Sequence, residues 1–378
     1  MELEQFAWTE SDGWAPEPPG RLSDADMVLA FGSSAIMERG AQFETLRAAY
    51  PGAQVVGCST AGEIQGVNVS DDSLVITAAR FSSSHVESKH IALADTSSSR
   101  HAGELLAKQL DTKGLVHVFV ISDGTSVNGS ELVDGLTENL PSHVNVTGGL
   151  SGDGDRFERT FVIPNREPAR DTVSALAFYG DRLRVGYGSL GGWDPFGPER
   201  LVTRSQGNVL YELDGRSALE LYKRYLGEHA AGLPATGLLF PLSMRSEEGT
   251  DGLVRTILAV DEQENSVTFA GDVPEGWYAR LMKANFDRLV DGASGAAAAS
   301  SAPLGQGKPE LAILISCVGR KMVLKQRTEE EVEAVRDVLG ASTVLSGFYS
   351  YGEISPFSPH GRCELHNQTM TITTFSEF

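Results

Sequence analysis

Three serines stand behind apolar runs: Ser33 after Val28-Leu-Ala-Phe-Gly, Ser122 after Val116-His-Val-Phe-Val-Ile, and Ser316 after Leu311-Ala-Ile-Leu-Ile. If those runs are parallel strands, the serines lie beyond their carboxyl ends, where α/β sheets receive ligands. Three glycine-rich turns carry an acid: Gly57-Cys-Ser-Thr-Ala-Gly-Glu63, Gly148-Gly-Leu-Ser-Gly-Asp153 and Gly347-Phe-Tyr-Ser-Tyr-Gly-Glu353. Exposed N–H groups of such turns can receive a carboxylate, and Glu63, Asp153 or Glu353 can pair with an ammonium group, which suits a zwitterion. The plainer alternative is that glycine supplies positive φ and the acids tie down the turns. Ser59 joins the ligand-binding candidates from the first turn. Its neighbour Cys58 has no identifiable base to lower its pKa and reads as a small buried residue rather than a nucleophile.

Gly186-Tyr-Gly-Ser-Leu-Gly191 matches GxGxxG literally. A dinucleotide site needs a helix opening directly behind the glycines, and Trp193-Asp-Pro-Phe-Gly-Pro cannot begin one. With no zinc, phosphate-loop, nucleophile-elbow or kinase signature recognisable, the expectation is a binding protein and not an enzyme, with an enzyme of unfamiliar active site as the alternative.

The elements that must hold these residues repeat. Behind the three apolar runs come helical patterns at spacings of three and four: Phe43, Leu46 and Tyr50; Leu132, Leu136 and Leu140; Val332, Val335 and Leu339. The third has a capping box, Thr328 with Glu331, and a stop at Gly340. Each helix leads to a second strand, then to an acidic turn, then to a β-rich segment: Ser73-Leu-Val-Ile-Thr, Val173-Ser-Ala-Leu-Ala-Phe and Thr369-Met-Thr-Ile-Thr. The expected fold is α/β, with mixed sheets flanked by helices and built from duplicated strand-helix-strand units. A break near residue 207 divides the chain into 1–207 and 208–378, and the low-complexity stretch 292–309 reads as a flexible insert.

A chain of 378 residues, 41% hydrophobic and 22% charged, is long enough for two packed domains. Its formal charge of −20 repels phosphate backbones and anionic lipid, so neither nucleic acid nor membrane is an expected partner. Cys58, Cys317 and Cys363 form no CxxC and suggest neither a disulfide framework nor a sequence-local zinc site. The start, MELEQFAWTES, lacks the basic region and apolar core of a signal peptide, and the apolar run Leu311 to Val318 is too short to span a bilayer. A cytoplasmic monomer or homodimer is expected.

The first two turns resemble the amino-terminal half of FIST (F-box and intracellular signal transduction) proteins. Tyr211-Glu-Leu-Asp-Gly215 with Ala218-Leu-Glu-Leu-Tyr222 is similar to the start of their carboxy-terminal half, and Gly347-Phe-Tyr-Ser-Tyr-Gly-Glu-Ile354 with Leu365-His-Asn-Gln-Thr-Met370 to its closing signature. The resemblance implies a sensor of small molecules, amino acids among them, that passes its state to a separate partner protein. Some bacterial members bind haem, sense nitric oxide and act on a histidine kinase or a cyclic-di-GMP enzyme.

For haem the resemblance needs an axial ligand. Leu219, Tyr222, Leu226 and His229 recur at three and four, which places His229 on an apolar helix face. An axial ligand would sit there, and so would a core histidine with one backbone partner. His366, in the closing signature, is the second candidate. Without CxxCH, covalent attachment of haem is excluded.

Overall fold

The computed structural model describes every residue except 17, 248–251, 306 and 357–360, and all of the side chains of the remainder but that of residue 235. Three six-stranded mixed sheets share one plan. In each, a leading strand, buried throughout but for Val116 in the second, pairs in parallel with the strand that follows its helix: Met27–Ser33 with Gln54–Thr60, Leu115–Ser122 with Asn145–Leu150, and Leu311–Cys317 with Val344–Ser350. A returning strand then pairs antiparallel with the leading one: Ser73–Arg80, Thr172–Tyr179 and Met370–Glu377. Leading strands buried on both faces read as continuous Val, Ile, Leu and Phe, which is why they were visible in the sequence.

Each unit also lends strands to another. The hairpin of Glu63–Gln65 and Asn68–Ser70 extends the third sheet, Gly352–Pro356 with Cys363–His366 extends the second, and Val162–Pro164 extends the first. The exchange is cyclic, so the three sheets enclose common apolar packing, and Phe31, Phe119, Phe178, Phe348 and Phe375 bury together. One of each unit's parallel strands approaches its neighbour through a glycine. A Cβ on Gly57, Gly148 or Gly347 would lie 1.8 Å from the carbonyl oxygen of Ala30, Val120 or Leu314 respectively.

That register corrects one sequence alignment. Gly57, Gly148 and Gly347 face Ala30, Val120 and Leu314, so Ser122 and Ser316 correspond to Gly32, while Ser33 corresponds to Asp123 and Cys317. The serines that look alike in the sequence are one residue out of step.

Inserted between Leu183–Leu190 and Phe286–Ser301 is a nine-stranded antiparallel sheet with its own core around Leu210, Leu219, Tyr222 and Phe269. Residue 207 lies in the turn joining Arg200–Gln206 to Val209–Leu213 of that sheet. The stretch read as a flexible insert is different: residues 292–301 finish the helix Phe286–Ser301, and Ala293, Ala296, Ala297 and Ser300 are buried. Gly186 and Gly188 explain the packing. A Cβ on either would come within 1.9 Å of Ser300 O or 2.2 Å of Ala296 O, so two glycines on the strand and a run of alanines on the helix let the backbones meet. Alanine is the strongest helix former, and low complexity here is a packing face rather than a linker. Residue 306 of that stretch lies outside the described residues. No helix among the described residues is long and apolar enough to cross a membrane.

Candidate functional site

The three acidic turns meet, and backbone hydrogen bonds close them into a ring. Ala61 N donates to Tyr349 O (2.8 Å), Tyr351 N to Leu150 O (3.3 Å), and Gly152 N to Ser59 O (2.8 Å). Ala61, Tyr351 and Gly152 are equivalent positions in the three units, and so are Tyr349, Leu150 and Ser59. Each turn's amide is therefore used up on the next turn's carbonyl, which satisfies buried backbone without water.

Two of the acids sit in matching clamps. Glu63 accepts from Thr60 Oγ1, from Ser73 N (3.1 Å) and from Ser73 Oγ (2.7 Å). Glu353 accepts from Ser350 Oγ (2.6 Å), Thr369 N (3.2 Å) and Thr369 Oγ1 (2.9 Å). Burial dominates over these bonds and pushes Glu63 up to about 7 and Glu353 up to about 8. Asp153 behaves oppositely. Against the upward push of burial, hydrogen bonds from Arg156 (2.5 Å) and Ser34 hold its carboxyl below the usual range.

The clamps set a pH dependence of stability. A folded carboxyl raised above its unfolded value of 4.5 binds a proton that the unfolded chain releases, so its contribution is full below pH 4.5 and is lost as pH rises through about 7 and about 8. Buried His117 and His366, lowered by desolvation to about 3 and about 4, act in the other sense below their unfolded value of 6.5. The clean window is therefore pH 6.5 to about 8.5, across which the two clamps together cost about 2–3 kcal/mol. Differential scanning calorimetry should show the melting temperature falling across this window, and the double variant Glu63→Gln, Glu353→Gln should flatten it. An equal slope in the double variant would contradict the assignment.

Beside the ring is a cavity of about 400 Å³ bounded by all three units. Ser33, Thr60 and Glu63 come from the first, Gly154 to Arg156 from the second, and Val318, Lys321 and Met322 from the third. Its cations are Arg156, Lys321 and Lys325; Asp71, Asp72 and Asp155 add carboxylates to that of Glu63. Lys321 Nζ donates to Ala61 O (2.9 Å) and to Asp71, and it stands 5.5 Å from the Tyr349 ring. Arg156 is held by Asp153 and also donates to Ser34 Oγ (3.1 Å). Ser33 is 6% exposed, and its Oγ has no hydrogen-bond partner among the described residues. A buried unpartnered hydroxyl on a polar cavity wall is a free handle for a ligand.

Of the sequence candidates, Ser33 and Glu63 line this cavity, and Asp153 fixes Arg156 in it. Ser59 lies in the ring, where its Oγ accepts from Phe161 N (2.8 Å). Ser122 Oγ donates to Asp123 O (2.9 Å), Ser316 Oγ donates to Glu331 (2.9 Å), and Glu353 is wholly buried in its clamp. None of these four is on the cavity wall. Arg156, Lys321 and the Asp71–Asp72 pair are the residues sequence reasoning missed. Lys321 could have been found, because it lies on the helix Val318–Leu324 that follows a leading strand directly.

The histidines do not fit haem. The helix Ala218–Leu226 stops at Gly227, whose φ of 56° turns the chain, so His229 falls in a 3-10 segment and is exposed instead of lying on the apolar helix face. His366 is buried in the strand Cys363–His366, with Nε2 2.9 Å from Ser355 O. Neither lines the cavity beside the ring. Among the described residues no group of three or more His, Cys, Asp or Glu could hold a metal ion. All three cysteines are free and buried, and burial, with Glu63 nearby, raises Cys58 well above a reactive thiol.

Residues 26–216 match the FIST N domain and residues 218–356 the FIST C domain. An uncharacterized protein of Methanocaldococcus jannaschii is 24% identical over 277 residues, covering 66% of this chain and 52% of its own, so the chain spans about half the length of this relative. Among the solved structures that align with this chain are two cyanuric acid hydrolases. One, described as "Cyanuric acid hydrolase: evolutionary innovation by structural concatenation", covers 100% of this chain and 99% of its own at 8% identity and a TM-score of 0.34. The other, a cyanuric acid hydrolase from A. caulinodans, covers 78% and 99% at 13% identity and a TM-score of 0.18. The expectation that the chain is not an enzyme is corrected by these neighbours, which are hydrolases: the missing motifs it rested on do not exclude catalysis. At such TM-scores the likeness does not bear on substrate.

Proposed function

Since the chain belongs to the family of FIST N and FIST C domain proteins, we propose that it senses a small zwitterion, an amino acid in the first instance, in the cavity beside the three-turn ring. The observation that carries this reading is the buried, unpartnered Ser33 hydroxyl on a wall that also holds both signs of charge. A ligand carboxylate is received by Lys321 and Arg156, its ammonium group by the facing acids, and Ser33 Oγ supplies the neutral bond. The cavity's volume of about 400 Å³ falls in the range of small-molecule sites. Because its walls come from three units, occupancy tightens their mutual placement, and a separate signalling protein, a histidine kinase or a cyclic-di-GMP enzyme, reads the change.

Calorimetric titration with the common amino acids tests the reading, alongside mass spectrometry of whatever co-purifies. Ser33→Ala is expected to weaken the bound amino acid by roughly 3- to 10-fold, the worth of one neutral hydrogen bond, with the circular dichroism spectrum unchanged. Lys321→Met should weaken it more, as a charge-assisted bond is about twice as strong. Failure of every amino acid to bind, or full affinity in both variants, would overturn it.

A further inference from the structure

A second cavity, of about 410 Å³, adjoins the polar one at Asp155, Arg156 and Met322, which line both. Its other walls are of opposite chemistry. Phe157 follows the second unit's acidic turn, and Leu233, Leu238, Ile257 and Leu258 come from the inserted sheet, its 3-10 segments and the turn between them. Two of these side chains are large, apolar and open to solvent: Phe157 at 36% and Leu258 at 39%. Phe157 is held in that position. Its φ is 56°, its ring stacks on Tyr351 at 4.2 Å, and its N–H donates to the Tyr351 hydroxyl (3.1 Å). A bulky residue kept at positive φ is a conformation that surrounding contacts must impose.

From this juxtaposition we infer that the ligand is an amphiphilic amino acid, with its zwitterionic head in the polar cavity and a long unbranched side chain in the apolar one. The inference rests on the proposed head-group site and extends it. A short amino acid leaves the apolar walls wet, whereas an alkyl chain passing Arg156 and Met322 removes Phe157 and Leu258 from water, and the hydrophobic effect then favours the longer ligand. The chain also touches both the three-unit body, through Phe157 and Met322, and the inserted sheet, through Ile257 and Leu258. Differential contact with the two parts is what lets a ligand bias how the insert sits on the body.

The test is calorimetric titration of the full chain with α-amino acids bearing straight side chains from methyl to octyl, together with decanoate as a chain without the zwitterion. Affinity is expected to rise about fourfold per added methylene until the cavity is filled, with decanoate binding far more weakly than the octyl amino acid. Leu258→Asp, at a solvent-open position, should abolish the chain-length gain. Met322→Gln provides a second variant at the junction and should reduce the gain. If alanine binds and chain length has no effect, the amphiphile inference falls and the head-group site stands. If Leu258→Asp weakens alanine as much as the octyl ligand, or decanoate matches the octyl amino acid, the inference also falls. If no member of the series binds, both readings fall together.

Discussion

Gly347→Ala is expected to leave little or no folded protein, and Gly57→Ala and Gly148→Ala to behave alike. Each glycine lies where the two parallel strands of its unit are closest, and an added Cβ would stand 1.8 Å from a main-chain carbonyl oxygen and 2.7 Å from its carbon. The obstacle is backbone in the middle of a buried sheet, so no side-chain rotamer can relieve it. The strands must part, and the register Leu314↔Gly347 and its equivalents must break. Overpacking typically costs about 1–3 kcal/mol and occasionally more, and with main chain as the obstacle the upper end applies, a large share of the roughly 5–15 kcal/mol that holds a domain together. The damage also reaches the ring, because Tyr349 and Tyr351 lie just beyond Gly347 on the same strand and turn. Gly52→Ala is the control: its Cβ would meet nothing within 4 Å and its φ is not positive. Soluble yield and thermal melting by circular dichroism measure the difference. A Gly347→Ala protein that melts with Gly52→Ala and the wild type would show that the strands are not this close.

Much of this arrangement was legible in the sequence, for definite reasons. Leading strands covered on both faces must be apolar throughout, and the residues on buried helix faces, such as Val332, Val335 and Leu339, keep helical spacing, so both leave plain patterns. The acidic turns recur because the same clamp was needed more than once: Thr60, Glu63 and Ser73 do what Ser350, Glu353 and Thr369 do. What could not be read is whatever depends on strand exchange. Nothing local shows that Glu63–Gln65 pairs with the third sheet, and hence that Lys321 and Ala61, 260 residues apart, touch. The part of the helix at 292–301 was read as a linker because its glycine partners, Gly186 and Gly188, are a hundred residues away in sequence and resembled a nucleotide motif. His229 was misplaced by continuing a helical period past Gly227, where the backbone leaves the helix.

The capping box read at Thr328 and Glu331 marks the other large expected effect. Thr328 Oγ1 donates to Lys325 O (2.5 Å), and the Glu331 side chain is turned inward, with no exposure at all. It accepts from Arg320 Nη2 (2.7 Å) and Nε (3.0 Å), from the Tyr349 hydroxyl (2.6 Å) and from Ser316 Oγ (2.9 Å). Arg320, equally buried, gives two further donors to Gly191 O (2.8 Å) and Leu289 O (2.7 Å), which ties the helix Phe286–Ser301 to the third unit. Glu331→Ala deletes the anion and leaves a guanidinium in the core without its counter-charge. Breaking one side of such a pair costs about 3–5 kcal/mol, and here Tyr349 and Ser316 lose an acceptor as well. Tyr349 is also the ring residue over which Lys321 stands, so ligand affinity should fall with stability. Replacing both charges, Arg320→Met with Glu331→Met, removes the uncompensated charge and should recover most of the loss, since a buried pair exchanged for apolar residues of similar volume is often neutral or better. Guanidinium unfolding of the single and double variants measures both numbers. A Glu331→Ala protein within about 1 kcal/mol of wild type, or a double variant no more stable than the single one, would mean that the buried pair is not what joins helix, sheet and ring.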